Sequence, residues 1–180
     1  MAEIAAVVSR RGRLFDCVLL PSVEQVAGFD VRIAEDVLFG SGRPSILLPP
    51  GRNDCSFDRV VIAWDGSAPA TRAVHDALPI LRLAGSVEIL TITEEKPLIL
   101  HLHGADLARH LSAHGIAAQH NDLRFTGGSV GTQLVEAAAD RRAGLLIMGA
   151  YGHSRFKQMI FGGATRSLLK QVVLPVLLSH

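Results

Sequence analysis

Two kinds of hydrophobic pattern alternate along the chain. Residues 59–64, 87–93, 116–125, 145–148 and 176–179 are short segments rich in β-branched residues or leucine, and the first, second and fourth are nearly continuous apolar runs. Runs of that kind suit strands buried on both faces. Between them lie longer stretches with helical spacing. Ala70, Val74, Ala77, Leu78 and Leu81 form one stripe of a helix that Ser67 can cap and whose last turn Pro79 should bend. Leu107 and Leu111 mark a second helix ending at Gly115, and Val130, Leu134, Val135 and Ala138 a third, with Ser129 as its N-cap. Strands alternating with helices predict an α/β unit over residues 57–180, an open five-stranded parallel sheet with helices on both faces.

Residues 1–50 read as a partial copy of the end of that unit. Setting residues 16–21 (DCVLLP) against 144–149 (GLLIMG) brings Arg10 and Arg11 near Arg141 and Arg142, and leaves residues 43–48 (RPSILL) close to 174–179 (LPVLLS). The expected order there is helix, strand, helix (about residues 26–39) and strand. Turn formers crowd residues 49–56, which places a linker at 51–56 between the two parts.

Composition removes several classes of function. With 18 Lys and Arg against 17 Asp and Glu, the net charge of +1 gives no sequence-wide basic field for nucleic acid or an anionic membrane surface. At 48% apolar and 19% charged the chain can fold by burial, and no apolar run approaches the length that spans a bilayer. The order of charged and apolar residues at the N-terminus is wrong for a secretory signal, and Cys17 and Cys55 sit in no metal or disulfide pattern. A reducing, cytoplasmic setting is the expectation.

The chemistry concentrates after the strand at 145–148, where glycines stand at 149, 152 and 162 in the spacing G-x2-G-x9-G. Glycine lets backbone N–H groups approach an anion, and a helix starting near Gly163 would aim its positive dipole end at a phosphate. Three glycines alone are a weak signal. Their position is stronger, because the strand at 59–64 closes in Asp65, Gly66 and Ser67 at the same edge, so two strand ends converge on one crevice.

The strand ending in Asp65-Gly66-Ser67, Met148-Gly149-x-x-Gly152, Gly162-x-x-Thr165 and the closing Pro175-Val176-Leu177-Leu178 together resemble the universal stress proteins, of the adenine nucleotide alpha-hydrolase-like fold. The resemblance covers residues 57–180 as one complete module, and residues 1–50 resemble the tail of a first module from the tandem type. It implies a stress-response module that binds ATP or a related adenine nucleotide, with or without Mg²⁺, and acts through a ligand-dependent change of shape or association rather than as an enzyme. Slow ATP hydrolysis stays open. By position, Asp65 would meet the adenine edge, Ala63 and Ile92 would flank the base, and Met148 and Gly149 would lie by the sugar and phosphates. Gly152, Gly162, Gly163, Ala164 and Thr165 would line the phosphates. Gly163 departs from the pattern, since the family's ATP-binding form carries Ser or Thr there; the lost hydroxyl is worth about 0.5–1.5 kcal/mol. The resemblance also implies a homodimer through the last strands and the partial first module, with residues 45–48 and 176–179 able to pair inside one chain. A nucleotide-free interaction module is the alternative.

Three other patterns carry less. Gly127, Ser129 and Gly131 match the G-x-S-x-G of a nucleophile elbow, with Asp140 and His153 following in hydrolase order, but too little chain follows to deliver an acid and a base. The G-x4-G-K-[ST] phosphate loop is absent from the sequence. His110 and His114 lie one helical turn apart, yet no Asp or Glu completes a ligand set with them, so no metal site is expected. His153, Arg155 and Lys157 could reach a phosphate, whereas Trp64 and Tyr151 read as packing residues.

Overall fold

The computed structural model describes residues 2–21, 31–51, 56–93, 103–150 and 172–180. In chain order its elements are α1 (Ala2–Gly12), β1 (Val18–Pro21), α2 (Val31–Ser41), β2 (Ser45–Leu48), β3 (Arg59–Ala63), α3 (Ala68–Leu81), β4 (Ser86–Thr93), α4 (Gly104–Ala113), β5 (Ala118–Arg124), α5 (Val130–Asp140), β6 (Leu145–Gly149) and β7 (Val176–Ser179). The helix starts follow from capping chemistry. Ser67 Oγ accepts the Ala70 N–H at 3.3 Å and Ser129 Oγ accepts the Thr132 N–H at 3.4 Å, each satisfying a donor that the first turn leaves unpaired. Pro79 lies inside α3, two residues before its end. The α4 helix stops where Gly115 takes φ +76°, and the Ile116 N–H turns back to the Leu111 carbonyl at 3.0 Å. Ile116 therefore closes the helix, and the strand expected from residue 116 begins at Ala118.

The strands form one sheet in the order β1-β2-β7-β6-β3-β4-β5. The five strands β3 to β7 are mutually parallel where they pair, as expected of residues 57–180. The sheet itself has seven strands and is mixed. Residues 1–50 add β1 and β2, parallel to each other, and β2 joins β7 antiparallel through Ser45↔Leu178, Ile46↔Leu177 and Leu47↔Val176. The register of β1 on β2 (Val18↔Ser45 to Pro21↔Leu48) matches that of β6 on β7 (Leu146↔Val176 to Gly149↔Ser179). Equivalent hydrogen bonds open both pairs: Val18 N–H to the Pro44 carbonyl and Leu146 N–H to the Pro175 carbonyl, each at 2.9 Å. Ile46 and Leu177 face each other at the centre of the antiparallel pair.

Two layers of helix cover the sheet. One face buries Ala5 of α1, Ile33, Ala34, Val37 and Leu38 of α2, and Leu134 and Ala138 of α5 against Val61, Leu90 and Leu146. On the other, the α3 stripe (Ala70, Ala73, Val74, Ala77, Leu81) and Leu107 and Leu111 of α4 pack on Val60, Ile62, Ile89 and Ile147. At about 25 cal/mol per Å² of apolar area removed from water, burial of this kind is the main force holding helices to sheet. No helix among the described residues is long and apolar enough to cross a membrane.

Candidate functional site

The strand order fixes where a ligand crevice can form. From β3 the chain builds β4 and β5 to one side and then β6 and β7 to the other, so the order reverses between β3 and β6. In open α/β sheets ligands bind at such a switch point, beyond the carboxyl ends of the strands. The residues that follow β3 and end β6 are Asp65 and Met148-Gly149. All three were singled out from the sequence, and the fold brings them to the same edge of neighbouring strands.

Asp65 opens the turn into α3. Its Oδ1 accepts the Ser67 N–H at 3.0 Å, and Gly66 takes φ +71° to complete the turn. The carboxylate is half-buried and is held in place by the same backbone that starts the helix. Gly149 matters through space rather than conformation. A Cβ at this position would run into the backbone of Pro69 and Ala70, so the first turn of α3 lies directly on the end of β6. Ala63, Met148 and Ile92 sit on one face of the sheet, Ala63 buried within the cluster that α5 covers and the other two half-buried against it. Trp64, between Ala63 and Asp65, points the opposite way and is 5% exposed in the α3/α4 layer. It is a packing residue. Gly152, Gly162, Gly163, Ala164 and Thr165 lie outside the described residues, as do Tyr151, His153, Arg155 and Lys157.

Ser129 spends its hydroxyl on the α5 cap, which is the role its position predicts. Cys17 is half-buried, and burial first, with Asp16 second, raises its pKa above the usual thiol value, so it stays protonated and weakly nucleophilic.

A second hollow lies on the far face. A pocket of about 210 Å³ opens between α3 and α4, lined by Trp64, Thr71, Val74, His75, Asp106, Leu107 and His110. At its rim three imidazoles pack in a row, His75 to His110 at 5.4 Å between ring centroids and His110 to His114 at 4.8 Å. His110 takes up a proton less readily than an ordinary imidazole, through partial burial first and then the neighbouring His114 and His75. Its neutral form is favoured. The i,i+4 spacing of His110 and His114 is visible in the sequence. The approach of His75 is not, because it depends on α3 and α4 lying side by side on the sheet.

Comparison with known proteins agrees with the fold. The family model described as "Universal stress protein family" matches residues 56–180. A universal stress protein from Synechocystis, Slr1230, is 26% identical over 203 aligned positions that take in 97% of this chain and 65% of that protein. Among solved structures, a universal stress protein from Archaeoglobus fulgidus superposes with a TM-score of 0.70 at 20% identity, covering 97% of this chain and 64% of that one. The protein MJ0577 superposes with a TM-score of 0.53 at 18% identity, covering 68% of this chain and 95% of its own. The chain thus spans just under two thirds of the length of the curated relative it matches. With a family-model match over residues 56–180, more than half of its length, and a shared fold, the chain belongs to the universal stress protein family.

Proposed function

We propose that the chain is a cytoplasmic stress-response module that binds ATP or a related adenine nucleotide, with or without Mg²⁺, and works through ligand-dependent change of shape or association rather than turnover. The observation that carries this reading is the meeting of Asp65 and Met148-Gly149 at the switch point between β3 and β6. A base seated over Ala63 and Ile92 has an apolar floor, and the Asp65 carboxylate offers an acceptor to an exocyclic amine. Gly152, Gly162, Gly163, Ala164 and Thr165 are assigned to the phosphates by the resemblance.

The direct test is calorimetric titration of ATP into the wild type and into Asp65→Asn. The asparagine keeps an oxygen for the Ser67 N–H, so the fold should hold, but its amide turns a donor toward the base. Affinity should fall about tenfold while the melting curve stays put. Absence of saturable uptake by the wild type at millimolar ATP overturns the proposal.

A second reading is a nucleotide-free association module, favoured by the open end of the sheet. Leu19 of β1 is 59% exposed, whereas Ile147, its positional counterpart in β6, is fully buried. β2 and β7 each have neighbours on both sides within the chain, so a homodimer cannot add strands through them, and the uncovered face of β1 is the surface this reading uses. We infer the partial-copy origin of residues 1–50 from the matched registers of the β1–β2 and β6–β7 pairs. Light scattering at micromolar concentration tests the dimer. The expected result is a dimer that Leu19→Glu converts to monomer, and a monomeric wild type excludes it.

A further inference from the structure

We propose that the histidine row on the outer surface of α3 and α4 is a binding site for a borderline divalent transition-metal ion of the Ni²⁺, Cu²⁺ or Zn²⁺ class, clamped between His110 and His114. This site is separate from the switch-point crevice and does not depend on the nucleotide reading.

The argument begins with coordination geometry. An ion about 2.0–2.1 Å from one nitrogen of each of two imidazoles, at a near-tetrahedral angle, sets the ring centroids about 5 Å apart. The His110 and His114 centroids are 4.8 Å apart, and His75 reaches His110 from the other helix at 5.4 Å. The His110–His114 separation is the one a bridging ion requires; the two rings now meet edge to face, and an ion would turn both toward itself. Among the described residues no group of three or more His, Cys, Asp or Glu side chains could hold a metal ion. The site is accordingly a two-imidazole clamp of His110 and His114, completed by water.

Its surroundings favour a cation. His110 lies in the last turn of α4 and His114 is its C-cap, where the negative end of the helix dipole attracts positive charge. Asp106, one turn before His110, lines the same pocket, but its two oxygens are taken by Arg109 and by the His103 N–H at 3.0 Å, so the helix end is the main source of negative potential. Imidazole donors select against Mg²⁺ and Ca²⁺, which prefer oxygen.

The fold supplies a built-in reporter. Trp64 is the chain's single tryptophan, and it lines the pocket together with His75 and His110. Because Trp64 and His110 line one pocket, a paramagnetic ion held at His110 should quench its fluorescence, while Zn²⁺ binds without doing so. The experiment titrates Cu²⁺, and separately Ni²⁺, into the untagged chain in a non-coordinating buffer while following tryptophan emission, with Mg²⁺ as the reference ion. The expected result is saturable quenching at about one ion per chain, Cu²⁺ tighter than Ni²⁺, no response to Mg²⁺, and competition by Zn²⁺. The His110→Gln, His114→Gln double variant should weaken binding at least tenfold, about 1.4 kcal/mol. Its circular dichroism should be unchanged, since His110 is exposed and His114 half-buried. Quenching that is equal in the double variant, or that fails to saturate in the wild type below about 1 mM, a bound of about −4 kcal/mol, overturns the site.

Discussion

β1 and β6 pair alike, in parallel and in matching register, yet they live in different environments. Each is a short apolar strand paired in parallel, in the same register, to one of the two strands, β2 and β7, that make the antiparallel join. β6 has β3 on its other side and α3 across one face, so Ile147 has no exposure; β1 is the last strand, and Leu19, at the matching position, is 59% exposed. The helix anchorage differs as well. Arg141, after α5, donates from Nε to Glu88 Oε1 on β4 at 2.8 Å, whereas Arg13, after α1, donates to the carbonyl of Gly40 at 3.0 Å. Burial is thus a property of what the rest of the chain lays over a strand. The same apolar letters serve as core in one place and as surface in the other.

This contrast can be put to measurement. Ile147→Ala should lose about 2–5 kcal/mol, because it opens a cavity between α3 and the sheet that the dense surroundings cannot fill; the urea midpoint reads it. Next comes Gly149→Val, whose side chain must displace the backbone of Pro69 and Ala70 and should cost about 1–3 kcal/mol. That variant also pushes the first turn of α3 off β6, so ATP titration should show weakened uptake alongside the lower melting temperature. Ser67→Ala removes the acceptor for the Ala70 N–H and should cost about 1 kcal/mol, a thermal melt being sufficient to detect it. Smallest is Leu19→Ser, expected within about 0.5 kcal/mol of wild type when measured on dilute monomer. If Leu19→Ser instead rivals Ile147→Ala under those conditions, the two strands are covered alike and the contrast fails.

Local chemistry was readable from the sequence; long-range neighbours were not. The α3, α4 and α5 stripes and the Ser67 and Ser129 caps depend on residues a turn apart, and each appears where the spacing puts it. β5 was located despite its polar composition (AQHNDLR), since an edge strand keeps few buried positions. Its start was misplaced because Ile116, apolar and buried, belongs to the helix stop rather than the strand. The position of Asp65 and Gly149 at neighbouring strand ends is legible in the change from apolar runs to turn residues, whereas Met148 is named through the family resemblance. The Glu88–Arg141 ion pair and the His75–His110 contact were hidden, since each joins elements whose adjacency is set by sheet order and helix placement. The partners within each contact stand 53 and 35 residues apart, separations at which no local periodicity operates.

Pro21 gives the outer strand a further property. In β1 the Val18 amide turns inward to the Pro44 carbonyl, so alternation along the strand leaves the positions of Leu19 and Pro21 facing outward. Proline has no hydrogen to give, so a strand of four residues turns only one backbone donor, that of Leu19, toward its rim. An incoming chain finds almost no ladder to zip onto, which makes this rim a poor seed for fibrils even though an apolar side chain stands beside it.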